Sequence, residues 1–280
     1  MPHVDTPAPS TVSTLVLVHG SWHDGTCWSA VQERLAAGSM GSVAPTLPGH
    51  GPGNDRLNVR HDDYVSCVAD ALDGLTGPAV LVGHSFAGTV ISRVAELRPE
   101  RCHGLVFYSA FVPHDGNRVA DSLPAHFIDF LELAAAASAD RTIELPDEML
   151  REAFANTADD ETVARIRTLL VPEPHAPIFE TLSLTSFPTM EIPTVYINCR
   201  QDQTMPPGTF HPTQSSRLHE PHLIEIDGDH ETLLAAPERL AGALIAALDL
   251  INTTRHARPN TTTDTWSATA QSLARANRAG

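Results

Sequence analysis

The sequence predicts an α/β protein with a mostly parallel sheet and helices on both faces. Three observations predict it. Short, near-continuously apolar runs recur at residues 14–20 ("TLVLVHG"), 79–83 ("AVLVG"), 104–111 ("GLVFYSAF"), 193–198 ("PTVYIN") and 222–226 ("HLIEI"), as strands covered on both faces require. Segments of helical period separate them, and strand–helix alternation favours parallel pairing. The 280 residues could hold one large α/β domain or two small ones, and are ample for a substantial core.

Taken in order, residues 1–12 lack both a positive segment and an apolar core, so they read as a flexible N-terminus rather than a secretory signal. The first strand, 14–20, ends in a turn at His19-Gly20. A helix is expected over 61–75, then the strand at 79–83. In 86–97, Phe86, Val90, Ile91, Val94 and Leu97 recur at helix spacing. After the strand at 104–111 the alternation stops. Helical pieces beginning "HFIDF" at 126 and "DETVA" at 160, separated by prolines, fill residues 113–189 without a convincing strand. This stretch is expected to be a helical cap over the ligand end of a core formed by residues 13–112 and 190–250. A helix over 231–250 closes the core. Residues 252–280, rich in threonine and arginine, read as a loose polar tail.

Composition narrows the function. The formal charge is −16, and all 18 basic residues are arginine. Nucleic-acid binding needs clustered positive charge, so no such partner is expected. An acidic surface also repels anionic membranes and highly anionic substrates. The longest apolar candidate, 233–251, carries Pro237, Glu238, Arg239 and Asp249, the pattern of an amphipathic helix rather than a membrane span. Cys27, Cys67, Cys102 and Cys199 are far apart, and without an export signal they are expected to be reduced thiols in a cytoplasmic protein. The 15 histidines show no H-E-x-x-H or similar spacing, so no metal is expected. The expected partner is a small molecule, met by a monomer or homodimer.

The chemistry begins at "LVGHSFAG", residues 81–88. A strand runs into Gly83-His84-Ser85-Phe86-Ala87 and a helix follows at once, the context in which G-x-S-x-G presents a nucleophilic serine. So sharp a turn brings flanking backbones together, and positions two before and two after the serine must be small. Ala87 replaces the usual second glycine at the expense of one methyl of space. A serine hydroxyl needs a base, and the base needs an orienting acid. His230 in "IEIDGDHETLL" and Asp202 in "VYINCRQDQTMPP" each follow a predicted strand. Strand ends on one edge of a parallel sheet meet in space, so residues 85, 202 and 230 can converge. Asp115, Asp227 and Asp229 are rival acids. The two backbone donors that an oxyanion requires are expected from Phe86 and, after the first strand, Ser21, where Gly20 permits close approach.

Together "LVLVHGSWHDGTCW", "PTLPGHG", "LVGHSFAG", "FYSAFVPHDG" and "DGDHETLLAAPERLAGAL" resemble the α/β-hydrolase superfamily. The branch they resemble holds plant methyl-ester esterases, hydroxynitrile lyases and small bacterial esterases. The resemblance spans residues 13–250 and is thin across 115–190. It implies an eight-stranded sheet, a helical cap inserted after the sixth strand, no cofactor, and a Ser85–Asp202–His230 triad. The lyases carry a threonine and a lysine where this chain has Gly20 and Glu231. A glutamate repels the cyanide that a lysine would hold, so hydrolysis of a small or medium, largely apolar ester or lactone is expected. Trp22, His23, Phe86 and Phe111, with Gly20, are expected to line the substrate pocket. The alternatives are the same triad acting on a C–C or other non-ester bond, and a ligand-binding protein that retains the pocket.

Overall fold

The structure is a computed structural model that describes residues 14–257, so the expectations for residues 1–12 and for the tail beyond 257 lie outside the described residues. Its strands are β1 (Thr14–Val18), β2 (Gly41–Val43), β3 (Ala79–His84), β4 (Cys102–Tyr108), β5 (Thr142–Ile143), β6 (Glu173–Pro174), β7 (Thr194–Cys199) and β8 (His222–Ile226). Six of these form one sheet in the order β2-β1-β3-β4-β7-β8, with every neighbouring pair parallel. The resemblance implied eight strands in that sheet; six are present among the described residues. One physical reason lies between β2 and the next helix. There "PTLPGHGPG" supplies prolines that cannot donate to a ladder, and the chain runs as turns. β3 is buried along its whole length, as a central strand should be. β8 is the sheet edge and is only half covered, which corrects the expectation of cover on both faces there.

Helices α1 (Ser29–Ala37), α2 (His61–Asp73) and α3 (Ala87–Leu97) follow β1, β2 and β3. In α3, Val90, Ile91 and Val94 are fully buried, but Leu97 is 42% exposed and leaves the predicted stripe. The inserted segment lies between β4 and β7, the fourth and fifth strands along the chain in the large sheet. Its expected place after a sixth strand is therefore corrected. It holds α4 (Ala125–Ala137), α5 (Asp147–Met149), α6 (Asp160–Arg167) and α7 (Ala176–Phe179). It also holds an antiparallel pair, with Ile143 of β5 opposite Glu173 of β6. No strand was expected in this region, because two residues are too few for any periodicity to register.

The helix expected over 231–250 is two: α8 (Thr232–Ala235) and α9 (Pro237–Ala257). Pro237 lacks the N–H that would continue α8, and instead starts α9. α9 packs on α1, and α2 packs on α3, giving the sheet its flanking helices. No described helix is long and apolar enough to cross a membrane.

α9 also corrects the start of the tail. Asn252 is buried and bonds His103 Nε2 at 3.0 Å, while Arg255 donates to the carbonyls of Cys102 and His103 at 2.9 and 3.0 Å. Thr254 meets His222 at 3.0 Å. Removing three such anchors costs roughly 2 kcal/mol at net hydrogen-bond values. A chain stopped after Ile251 is therefore expected to melt about 4–8 °C below one stopped after Ala257. Calorimetry of the two checks this, and equal Tm values would show that these bonds contribute nothing net.

Candidate active site

At the end of β3 the chain turns so sharply that Ser85 adopts φ 53, a left-handed conformation rare for a residue with a side chain. Three backbone bonds hold the strain. Ser85 N–H donates to the Tyr108 carbonyl at 3.2 Å, and the Ser85 carbonyl accepts from Gly88 at 3.2 Å and Phe111 at 3.0 Å. Gly83 is required by space, since a Cβ there would stand 2.8 Å from the Ala87 carbonyl oxygen. Gly20 is required likewise, because its Cβ would lie 2.9 Å from that of Ser85. The β1 loop thus presses directly on the serine. Ala87 is accommodated, fully buried, at the place of the usual second glycine.

His230 follows β8 and Asp202 follows β7, so both arrive from the same sheet edge as Ser85. His230 Nδ1 lies 2.7 Å from Asp202 Oδ2, with both side chains almost fully buried. The other carboxylate oxygen of Asp202 accepts from the backbone N–H and the hydroxyl of Thr204 at 3.0 and 2.7 Å. Burial alone would lower the His230 pKa. The charge and hydrogen bond of Asp202, with Glu231 and Asp229 behind, outweigh that and leave it raised. Burial pushes Asp202 the other way, upward, but His230 and Thr204 hold it below the ordinary carboxylate value. Behind the pair, His84 stacks on Tyr108 and approaches His230, with ring centroids 4.6 Å apart in each case. Burial, reinforced by His230, holds His84 well below the usual histidine range, so it adds no competing positive charge.

Among the described residues no hydrogen bond joins the Ser85 hydroxyl to His230. Such bonds commonly close only once substrate is seated. The backbone N–H groups of Ser21 and Phe86 likewise make no bond to protein among the described residues, which leaves two donors free beside Ser85.

Ser21, Trp22, Ser85, Phe86, Phe111 and His230 line one pocket, of about 430 Å³ including its open mouth. His23 and Gly20 do not, which corrects two expectations. His23 turns inward to bond Glu231 Oε1 at 3.1 Å, both fully or nearly fully buried. Gly20 is occupied in packing against Ser85. The rival acids are engaged elsewhere. Asp115 caps the Leu184 N–H at 2.7 Å, Asp227 bonds Arg200, and Asp229 holds Thr157. Sequence reasoning missed Thr204 and the outer pocket wall: Phe127, Leu131, Phe154, Ile178, Met205 and Phe210. Four of those six belong to the inserted segment, where side chains converge through tertiary packing and leave no local signal. Apart from the His230 imidazole, no ionisable side chain lines this pocket. No cluster of three His, Cys, Asp or Glu side chains that could hold a metal occurs among the described residues.

A model of the alpha/beta hydrolase family matches residues 15–243. A solved extracellular alpha/beta-hydrolase from a Paenibacillus species is 35% identical, superposes with a TM-score of 0.80, and is matched over 84% of this chain and 98% of that one. That hydrolase shares structural and functional homology with tobacco salicylic acid-binding protein 2. The pyrethroid hydrolase of Sphingobium wenxiniae is 27% identical over 84% of this chain and 87% of that protein. Salicylic acid-binding protein 2 of Nicotiana tabacum is 26% identical over 82% of this chain and 95% of that protein.

Proposed function

Because the chain belongs to the α/β-hydrolase family, we propose that it is a serine hydrolase of uncharged carboxylic esters or lactones. One observation carries the reading: a strained serine shares an apolar pocket with an Asp-paired histidine and two unbonded backbone N–H groups. Ser85 Oγ attacks the ester carbonyl as His230 Nε2 takes its proton. Asp202 holds the opposite ring nitrogen, Nδ1–H, and stabilises the imidazolium that forms. The carbonyl oxygen becomes an oxyanion facing the N–H groups of Ser21 and Phe86. His230 then gives its proton to the leaving alcohol, and water releases the acyl group from Ser85 by the same steps in reverse.

The pocket supports a neutral substrate. A carboxylate or ammonium entering it would lose its water and find no charged partner. The four cysteines are free, which favours a reducing, cytoplasmic setting. Cyanohydrin cleavage fits poorly, since the residue after His230 is an acid committed to His23.

A panel of p-nitrophenyl esters, methyl esters and lactones tests the reading. Short uncharged aryl esters are expected to turn over at least about 10²-fold faster than analogues with a free carboxylate on the acyl chain, from the desolvation of that charge. Mandelonitrile cleavage stays at the buffer background. Cyanide release with no ester turned over would overturn the proposal.

A further inference from the structure

Trp22, next to the donor Ser21, has φ 64. A bulky residue persists in the left-handed region only where its surroundings over-determine it. Its three hydrogen bonds among the described residues all go to the inserted segment. Trp22 N–H donates to Glu173 Oε2 at 3.0 Å, its indole Nε1–H donates to the Ile143 carbonyl at 3.0 Å, and its own carbonyl accepts from Val171 N–H at 2.8 Å. Ile143 and Glu173 face each other in the β5–β6 pair. That small antiparallel pair therefore grips Trp22 from both of its strands.

Glu173 is fully buried, which is costly for a carboxylate without strong partners. Its Oε2 also accepts from His50 Nε2 at 2.9 Å. His50 comes from the "PGHG" turn, packed through Gly49 against Pro174, where a Cβ would sit 2.8 Å from the proline ring. His19 stands against His50, with ring centroids 4.8 Å apart, and bonds the Gly20 carbonyl through Nδ1 at 2.9 Å and the Leu47 N–H through Nε2 at 3.0 Å. One side of the β1 loop thus rests on a polar chain that ends at Glu173. On the other side, His23 is held by Glu231, directly after the histidine of the Asp202 pair.

We propose that Glu173 is a positioning residue for the oxyanion hole. Its carboxylate fixes Trp22 in the left-handed conformation and so aims the Ser21 N–H at the developing oxyanion. The inference rests on the serine-hydrolase reading above. Docking the inserted segment and assembling the oxyanion site then become one event. Losing the carboxylate frees Trp22 to relax and moves the Ser21 N–H off its target, a displacement that acts on the transition state rather than on the bound ester.

The test uses the full chain as wild type, Glu173→Leu, Glu173→Ala and Glu173→Gln, with active sites counted by stoichiometric fluorophosphonate labelling. Leucine fills the same volume without an acceptor, so it carries the test if the alanine variant does not fold. Per labelled serine, kcat for p-nitrophenyl butyrate is expected to fall about 10²-fold in the leucine and alanine variants, with KM within about 3-fold. Benzeneboronic acid, whose tetrahedral adduct needs the same donors, weakens in parallel. Glutamine keeps an oxygen for the Trp22 N–H and is expected to recover at least about 10-fold of the loss. If wild type is active but every variant keeps kcat per labelled serine within 2-fold, or loses only labelled fraction or KM, the positioning role is overturned and the hydrolase reading stands. A wild type with neither labelling nor turnover overturns both.

Discussion

Ser85→Ala is expected to abolish fluorophosphonate labelling and to lower ester turnover by about 10⁶-fold, the scale of loss when a nucleophile that works as a unit with its base is removed. Two other hydroxyls line the pocket, and neither can substitute. Thr204 already donates its proton to Asp202 at 2.7 Å, and Ser21 lacks the left-handed turn conformation that presents Ser85. Intact mass after labelling checks the result, together with turnover above a buffer blank. The fold should survive, because alanine tolerates the same half-buried position and removes only one oxygen. Glycine carries no penalty in the left-handed region, so Ser85→Gly should melt slightly above Ser85→Ala. Label on a different residue in Ser85→Ala would move the nucleophile and dismantle the proposed mechanism.

The elbow was legible in the sequence because its constraints are local. A buried strand, a turn with small residues at two fixed offsets, and an amphipathic helix lie within 20 consecutive positions. Asp202 and His230 were legible for a related reason, since each follows a strand whose end must fall on the same edge. The pocket wall was not legible. His23 and Trp22 are neighbours in one loop, yet one turns inward to Glu231 and the other to the cavity. That choice is set by φ 64 at Trp22, which the inserted segment imposes from over 100 residues away. Glu231 was expected to face a ligand beside His230, but it turns to His23 instead. The β5–β6 pair is two residues on each strand, too short for any pattern to announce it. The end of α9 failed differently. Threonines and arginines looked like tail composition, but Thr254 and Arg255 find specific partners on β8 and β4.

Asp202→Asn should keep the fold and reduce turnover by up to about 10⁴-fold, as a triad acid does when it becomes an amide. The carboxylate accepts a proton-bearing Nδ1 and leaves Nε2 bare to receive the Ser85 proton. An amide can turn its NH₂ toward Nδ1 and stabilise the opposite tautomer, in which Nε2 is already protonated and useless as a base. The pH dependence gives an independent reading of the same pair. Ester hydrolysis needs His230 neutral, so kcat/KM rises with pH through the His230 titration. Burial lowers that pKa, but Asp202 and the acids behind it raise it further, so the wild-type midpoint is expected above the ordinary value of 6.5. Removing the Asp202 charge withdraws the largest raising influence, and the residual activity of Asp202→Asn should titrate at lower pH than wild type. Asp115→Asn is the control, since that carboxylate caps Leu184 and faces no histidine of the site. It should leave the midpoint where it is and change turnover by less than about 3-fold, as a lost exposed cap acts on stability rather than on chemistry. Stopped-flow or steady-state profiles from pH 5 to pH 9 on the three proteins decide the matter. If Asp202→Asn retains turnover within 10-fold of wild type and the same midpoint, His230 draws its orientation from another group.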